Sequence, residues 1–351
     1  MNTERMLIIG SGQAGLAAAY HARRSGVEPV ILEASDAAGG SWPAYYNSLR
    51  LFSPARFSSL PGLPFPGDSE RYPTRDEVEA YLADYTTWLA PDIRYRSSVS
   101  AVNHSSTGFT AETSDGTVHR AQALIATSGS FGTPYRPQLR GLESFAGKVL
   151  HSSEYVTAAG LSDARIVVVG AGNSAVQIAV ELAETATVTL ATRKPIRWVS
   201  QRPFNRDVHW WLTHSGFDRA PLGRWLARLA VGVLDHGAYR AAVHQGRPDR
   251  RPMFTKLEGG FVEWEDGTRE HIDVLILATG FRPDLGYLAP TGALHADGAP
   301  RHRHGLSTTV AGLGYVGLEF QRTFASATLR GVGADARHVI RRISSETERG
   351  N

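Results

Sequence analysis

The stretch MLIIGSGQAG at Met6–Gly15, which continues into LAAAYHARR at Leu16–Arg24, joins an apolar strand pattern, a glycine-rich turn and a helix pattern without interruption. In such a turn the first glycine permits a tight bend, the second lets a pyrophosphate approach the backbone, and the third lets helix and strand pack closely. The free N–H groups at the helix start then face an anion. The stretch predicts an α/β dinucleotide-binding unit. Its candidate binding residues are Gly10, Ser11, Gly12, Gln13, Ala14 and Gly15.

The same pattern occurs a second time in the chain. Ile166–Val169 is a strand-type run, Gly170–Ala175 repeats the turn as GAGNSA, and Val176–Glu184 repeats the helix pattern. One such turn is a weak signal, whereas two, each placed between a strand and a helix, form a much stronger one. The candidate residues of the second site are Gly170, Gly172, Asn173, Ser174 and Ala175.

The residues that follow the next strand distinguish the two sites. After the first turn, Val30–Leu32 ends in Glu33, an acid that can accept hydrogen bonds from ribose hydroxyls. After the second, Val188–Leu190 leads to Arg193 and Lys194, where a guanidinium can bind a 2′-phosphate. The first site therefore suits FAD or NAD and the second suits NADP. The alternative, that these are solvated loop charges, stays open here.

Composition removes several classes of function. The 351 residues contain no cysteine, which excludes disulfides, thiolate metal sites and cysteine nucleophiles. A net charge of +3, with the basic residues spread along the chain, disfavours nucleic-acid binding. The histidines form no H-E-x-x-H pair and no metal site is expected. The apolar runs are too short for a signal peptide or a membrane span, so we expect a cytoplasmic protein without a membrane partner.

Further motifs carry a resemblance to a known family. Phe145–Tyr155 reads F-x-G-x-x-x-H-x-x-x-Y, Leu277–Phe281 reads LATGF, and Gly39–Trp42 reads GGSW. Together with the two turns, these motifs resemble the class B flavin-dependent monooxygenases, which include flavin-containing monooxygenases, Baeyer–Villiger monooxygenases and the YUCCA enzymes. The stretches at 48–67 and 312–335 resemble short bacterial members of the CzcO and ArsO type.

The resemblance implies a reaction. NADPH would reduce FAD, O₂ would add at the flavin C4a carbon, and the resulting (hydro)peroxide would oxygenate a small organic substrate. Two alternatives stay open: a flavoprotein oxidase or reductase that passes electrons to O₂ or a partner, and a non-catalytic redox sensor that binds both nucleotides. The substrate and the oligomeric state are not determined by the sequence.

The motifs and the strand ends add candidate site residues. The cofactor contacts predicted in this way are Gly40, Ser41, Trp42, Val99, Thr127, Thr279, Gly280, Gly317 and Leu318. His151, in the linker motif, is a candidate for catalysis, with a structural role as the alternative. Ser53 is a second candidate because it is the polar residue found in the segment Leu51–Phe57, where the animal and yeast enzymes carry an active-site asparagine.

The predicted fold class is α/β, with two Rossmann-like dinucleotide-binding domains. An FAD-binding domain at about 1–155 and 275–351 is interrupted by an NADPH-binding domain at 156–274. Asp-Gly turns at 115–116 and 266–267 predict a small antiparallel β addition in each domain. A helical insertion is predicted at about 200–250, with a helix over Leu222–Leu234.

Overall fold

Two β-sheets with parallel cores organise the computed structural model, which describes residues 3–226 and 232–350. In chain order the strands are β1 (Glu4–Ile9), β2 (Val30–Leu32), β3 (Asp92–Arg94), β4 (Val99–Ser105), β5 (Gly108–Thr113), β6 (Val118–Ala126), β7 (Thr133–Pro134), β8 (Lys148–His151), β9 (Arg165–Val169), β10 (Thr187–Thr192), β11 (Trp198–Ser200), β12 (Val233–Asp235), β13 (Asp249–Pro252), β14 (Lys256–Glu258), β15 (Phe261–Glu263), β16 (Arg269–His271), β17 (Val274–Leu277), β18 (Phe281–Arg282), β19 (His302–Arg303), β20 (Leu306–Ser307) and β21 (Leu313–Tyr315). The α-helices are α1 (Gln13–Arg24), α2 (Arg75–Leu89), α3 (Asn173–Leu182), α4 (Val208–His214), α5 (Gly223–Leu226), α6 (Ala238–His244) and α7 (Leu329–Gly350). Short 3-10 helices lie at Trp42–Ala44, Ala55–Phe57, Leu142–Ser144, Pro203–Asn205, Phe217–Arg219 and Gly286–Thr291.

The first sheet has nine strands in the order β19-β20-β21-β6-β1-β2-β3, with β4 and β5 attached to β6 as an antiparallel addition. Strands β21, β6, β1, β2 and β3 run parallel, which is the arrangement of a Rossmann-like unit. The first glycine turn connects β1, the central strand, to α1. It therefore lies at the carboxyl edge of the sheet, where ligands bind in such folds.

Helices cover one face of the first sheet. Helix α1 buries a run of alanines against it, and their small side chains bring the helix close to the strands. Helix α2 begins with a capping box, in which Thr74 and Glu77 satisfy each other's backbone N–H groups. Its buried residues Val78, Tyr81, Leu82 and Tyr85 recur at helical spacing and face the same core.

The second sheet has five strands, all parallel, in the order β13-β10-β9-β17-β8. Helix α3 packs on one face, and the antiparallel sheet β14-β15-β16 packs on the other. Each predicted Asp-Gly turn connects two antiparallel strands as a hairpin, β5 to β6 and β15 to β16. The two-domain α/β fold class is thus confirmed. The domain boundaries stay a prediction; β8 lies before the predicted boundary at 155, and β17 crosses the one at 275.

The predicted insertion contains more than helices. Helices α4, α5 and α6 lie within it, but Val233–Asp235 forms a strand that pairs in parallel with Trp198–Ser200. This differs from the predicted helix over Leu222–Leu234, of which residues 227–231 lie outside the described residues. Val233 is buried against the core of α3, and β pairing satisfies the backbone groups of β12 at that place. In the described part of the chain no helix has the length and apolar character needed to cross a bilayer.

Replacing Gly15 by alanine should destabilise the protein. A Cβ atom built on Gly15 would lie 1.9 Å from the carbonyl oxygen of Gly10, so α1 would have to move away from β1. Overpacking of this kind costs about 3 kcal/mol of unfolding free energy, and thermal unfolding measures it. Gly172→Ala is the matched control, since no atom lies within 4 Å of its Cβ position and its φ is −94°. Equal losses in both variants would contradict the packing argument.

Candidate functional site

The first glycine turn is held rigid by the strand next to it. Gly10 has a φ of +103°, a conformation that other residues rarely adopt. Thr127, at the end of β6, places its hydroxyl 2.6 Å from the carbonyl oxygen of Ile9 and 2.9 Å from that of Gly10. Gly12 is the N-cap residue of α1 and has an extended conformation. Because it has no side chain, no side-chain oxygen caps the first N–H groups of the helix. The backbone N–H groups at the start of α1 remain available to an anion.

Glu33 sits at the end of β2, beside this turn. One carboxylate oxygen accepts hydrogen bonds from the backbone N–H (2.6 Å) and the hydroxyl (2.7 Å) of Ser11, and the other accepts from the N–H (2.9 Å) and hydroxyl (2.6 Å) of Ser35. Burial raises the pKa of Glu33, but the hydrogen bonds from Ser35 and Ser11 outweigh it and hold the pKa below its usual value. The side chain is therefore a fixed carboxylate at the position predicted for ribose recognition.

The GGSW segment closes over the first turn. Gly40 has a φ of +62°, and a Cβ on it would lie 2.8 Å from the Cα of Gly12. The Trp42 indole N–H donates to the side-chain oxygen of Gln13 (3.1 Å), and the Gln13 amide donates to the carbonyl oxygen of Ala327 (2.7 Å). Ser41 pairs with the hydroxyl of Tyr45. Two segments far apart in sequence thus meet at the start of α1.

The segment after β21 completes this region. Gly317 has a φ of +93°, and a Cβ there would lie 2.7 Å from the Cβ of Ala14. Leu318 is buried in the core on the second face of the sheet, and Val99, at the start of β4, packs on the same core. The glycine turn, Glu33, Thr127 and the segments at 40–42 and 317–318 are therefore brought together, whereas Val99 is connected to them only through the core that it shares with Leu318.

The second turn leaves open space where a pyrophosphate would need it. Gly170 has a φ of +149°, and a Cβ on it would lie 2.4 Å from the carbonyl oxygen of Ala278 and 2.9 Å from the Cβ of Ala175. A Cβ on Gly172, in contrast, would meet no atom within 4 Å. Protein packing therefore constrains the first and third positions of the turn, Gly170 and Ala175, but not the middle position, Gly172. The small residue at the middle position leaves room for a ligand, so the turn fits a nucleotide.

The first turn of α3 is tied to its surroundings by side chains. The side-chain oxygen of Asn173 accepts a hydrogen bond from the backbone N–H of Leu234 (3.2 Å), which joins the turn to the insertion. The hydroxyl of Tyr46 donates to the side-chain oxygen of Gln177 in α3 (2.7 Å), the helix whose first turn contains Ser174. These contacts link the second lobe to the insertion and to the loop that follows the GGSW segment.

The basic residues predicted to select the coenzyme stand at the end of β10. Arg193 and Lys194 are exposed directly after Thr192, the last residue of that strand. Arg250 of the neighbouring strand β13 donates to the Thr192 hydroxyl (2.9 Å), which places a further guanidinium beside the same edge. Sequence reasoning missed Arg250, although it lies in the basic run 247–251.

His151 is fully buried at the end of β8, and both of its ring nitrogens are engaged. Nδ1 accepts from the backbone N–H of Ser153 (3.1 Å), and Nε2 donates to the carbonyl oxygen of Gly280 (3.0 Å). Burial lowers the pKa of His151, so the ring is neutral at physiological pH. Thr279 donates to the carbonyl oxygen of Tyr135 beside it. His151 thus bonds the end of β8 to the chain that continues from β17 at Gly280.

The side chain of Ser53, the other candidate for catalysis, hydrogen-bonds within its own loop. Its hydroxyl lies 2.9 Å from that of Ser58, and both side chains are buried. Ser58 in turn donates toward the backbone carbonyls of Ser53 and Pro54. The structure therefore brings no free hydroxyl to the place where the resemblance implies an active-site amide.

A cavity of about 380 Å³ lies where the two lobes and the insertion meet. The first lobe contributes Phe52 and Tyr72, α3 contributes Gln177, and the insertion contributes Gln201 and Tyr239. Among the described residues no group of three or more His, Cys, Asp or Glu could hold a metal ion.

Two nucleotide turns in parallel sheets, one with an acid and one with a cation beyond it, define a flavin- and nicotinamide-dependent oxidoreductase. The chain belongs to the family described as Pyridine nucleotide-disulphide oxidoreductase, which matches residues 7–213. It is 31% identical to a CzcO-like oxidoreductase from Geobacillus kaustophilus, over 96% of this chain and 97% of that protein.

Further relatives narrow the class. A flavin-containing monooxygenase from Stenotrophomonas maltophilia superposes with a TM-score of 0.86 and 33% identity, covering 98% of this chain and 99% of that one. Indole-3-pyruvate monooxygenase YUCCA4 from Oryza sativa is 27% identical over 96% of this chain and 86% of its own length. The predicted resemblance to flavin-dependent monooxygenases, the oxidoreductase class, and FAD and NADPH as its cofactors are thus confirmed.

Replacing Arg193 by alanine should lower the catalytic efficiency with NADPH but not with NADH. If its guanidinium meets the 2′-phosphate, the lost contact is worth about 1.5–3 kcal/mol, so the kcat/KM for NADPH should fall roughly ten- to a hundredfold while that for NADH stays nearly constant. Steady-state oxidation of both coenzymes measures this. Gly172→Ala is the matched control and should reduce the efficiency of both equally, because its methyl group enters the space at the pyrophosphate turn. A parallel loss of both coenzymes in Arg193→Ala would refute the assignment.

Proposed function

We propose that the protein is a monooxygenase that uses NADPH and O₂ to transfer one oxygen atom to a small organic molecule. In the balanced reaction, NADPH, a proton, O₂ and the substrate give NADP⁺, water and the oxygenated product. FAD, when bound, supplies the chemistry that accepts the hydride and activates O₂. The chain supplies binding, orientation and exclusion of water.

One observation carries this proposal: the full-length likeness to a flavin-containing monooxygenase, at 33% identity and with both lobes matched. The absence of cysteine also supports the monooxygenase proposal. The disulfide chemistry in the family's description needs a thiol pair, which this chain cannot form. A reaction carried by the cofactor needs no side-chain nucleophile.

We assign the residues accordingly. The first turn, with Glu33, Thr127 and the segments at 40–42 and 317–318, would hold FAD, and Val99 would contact it from the edge. The second turn, with Arg193, Lys194 and Arg250, would hold NADPH. His151, Thr279 and Gly280 would fix the crossing between the lobes, which we propose to divide near 155 and 275.

An NADPH oxidase is the second candidate. The pairing of Ser53 with Ser58 favours it, because the Ser53 hydroxyl is then not free to act at the reacting centre. Such an enzyme would return all the electrons from NADPH to O₂ as hydrogen peroxide.

Labelled oxygen should separate the two candidates. Purified holoenzyme, NADPH and ¹⁸O₂ are incubated with a sulfide, an amine, a ketone and an aromatic 2-oxo acid, the last because YUCCA4 is named for such a substrate. We expect one ¹⁸O atom in the product of at least one substrate, with one NADPH consumed per atom, as mass spectrometry and absorbance measure. Stoichiometric hydrogen peroxide with no labelled product from any of the four establishes the oxidase instead.

His151→Ala should uncouple NADPH consumption from oxygenation. The change removes the bond from His151 to the Gly280 carbonyl, which then keeps only the bond from the backbone N–H of Tyr135 (2.9 Å), and the crossing between the lobes loosens. Water then reaches the reacting centre more easily. We expect peroxide released per NADPH to rise severalfold, measured with a peroxidase assay. His302→Ala, a change at the short strand β19, is the control, and an unchanged peroxide yield in His151→Ala would remove the proposed role.

A further inference from the structure

The buried carboxylate of Asp207 connects the insertion to the first lobe. Asp207 immediately precedes α4, and its side chain is 1% exposed. One oxygen accepts from the backbone N–H (2.8 Å) and the ring Nδ1 (2.7 Å) of His209. The other accepts from the hydroxyl of Tyr72 (2.6 Å) and the side-chain amide of Gln201 (2.8 Å).

The contact extends through Gln201 to a second point of the first lobe. The same amide nitrogen that donates to Asp207 donates its other hydrogen to the carbonyl oxygen of Phe52 (2.9 Å). The Phe52 ring stacks on the imidazole of His209, with centroids 6.0 Å apart and planes 18° from parallel. Asp207 therefore fixes two segments of the first lobe, at Phe52 and at Tyr72.

These partners form the wall of the cavity at the lobe junction. Phe52, Tyr72 and Gln201 all line it, and each is bonded to Asp207 either directly or through Gln201. No Lys or Arg forms an ion pair with Asp207 in the part of the chain that the structure describes. Burial raises the pKa of Asp207, but hydrogen bonds from His209, Tyr72 and Gln201 bring it down to about 2.

We propose that Asp207 is a positioning residue of the enzyme, which fixes the insertion to the Phe52 segment and so sets the geometry of the cavity where the two lobes and the insertion meet. The role requires an acceptor at both carboxylate oxygens, because all four partners are donors. It concerns the placement of the lobes for hydride transfer from NADPH and does not depend on the fate of the oxygen.

An asparagine at this position cannot satisfy the same partners. If its NH₂ group faces His209, it opposes a backbone N–H that cannot turn away. If it faces Tyr72 and Gln201, the tyrosine hydroxyl can rotate to accept, but Gln201 must turn its oxygen inward. Its nitrogen then leaves the Phe52 carbonyl, and the loop is released.

The test is Asp207→Asn in the holoenzyme, read by hydrogen–deuterium exchange and by rapid mixing with NADPH without oxygen. We expect the amides of residues 51–58 to exchange about tenfold faster. The flavin reduction rate at saturating NADPH should fall about fivefold, while the NADPH dissociation constant changes less than twofold, because the turn and Arg193 are unaltered. Gln201→Met, which removes the bridge but keeps Asp207, should reproduce both effects even if Asp207→Asn does not fold.

Asp218→Asn is the matched control. Asp218 is also an almost buried acid of the insertion, but it pairs with Arg330 (2.9 Å) instead of the cavity wall. It should lower the melting temperature without changing exchange at 51–58 or the ratio of reduction rate to affinity. The proposal is overturned if exchange at 51–58 is unchanged in Asp207→Asn and Gln201→Met, or if Asp218→Asn accelerates it equally.

Discussion

The absence of side chains at Gly10, Gly12 and Gly15, where β1 meets α1, is the constraint on which the rest of this structure depends. At Gly15 the helix backbone approaches the carbonyl oxygen of Gly10 so closely that even a methyl group would clash. That approach points the helix N–H groups to the carboxyl edge of the sheet, and Thr127 locks the turn from the neighbouring strand. The same construction at Gly170 lets one architecture hold two nucleotides.

The lobes are joined by strands and not only by loops. Strand β17 lies between β9 and β8, so chain segments from both sides of the second lobe enter its sheet. His151 ends β8 and bonds the Gly280 carbonyl just beyond β17, while Phe281–Arg282 pairs with Thr133–Pro134. A change in either crossing segment therefore acts on the relative placement of the two nucleotide sites, which hydride transfer depends on.

The insertion provides the third side of this arrangement. It contacts α3 through Leu234 and Asn173, and it contacts the first lobe through Asp207 and through the pair of Asp218 with Arg330. The cavity at the lobe junction is thus bounded by three parts of the chain.

The sequence alone determined the features that depend on neighbouring residues. These are the two glycine turns, the helices that follow them, the hairpins at Asp115 and Asp266, the acidic Glu33 beyond the first turn and the basic Arg193 beyond the second. These follow from local backbone sterics and strand or helix periodicity, which a short window contains. Only the tertiary structure decided that β17 lies between β9 and β8, that Ser53 bonds Ser58, and that Arg250 bonds Thr192, the residue before Arg193. It also revealed the junction at Asp207, whose partners lie far apart in the chain. Such contacts arise from the packing of distant segments, and no local pattern records which donor will meet a buried acceptor.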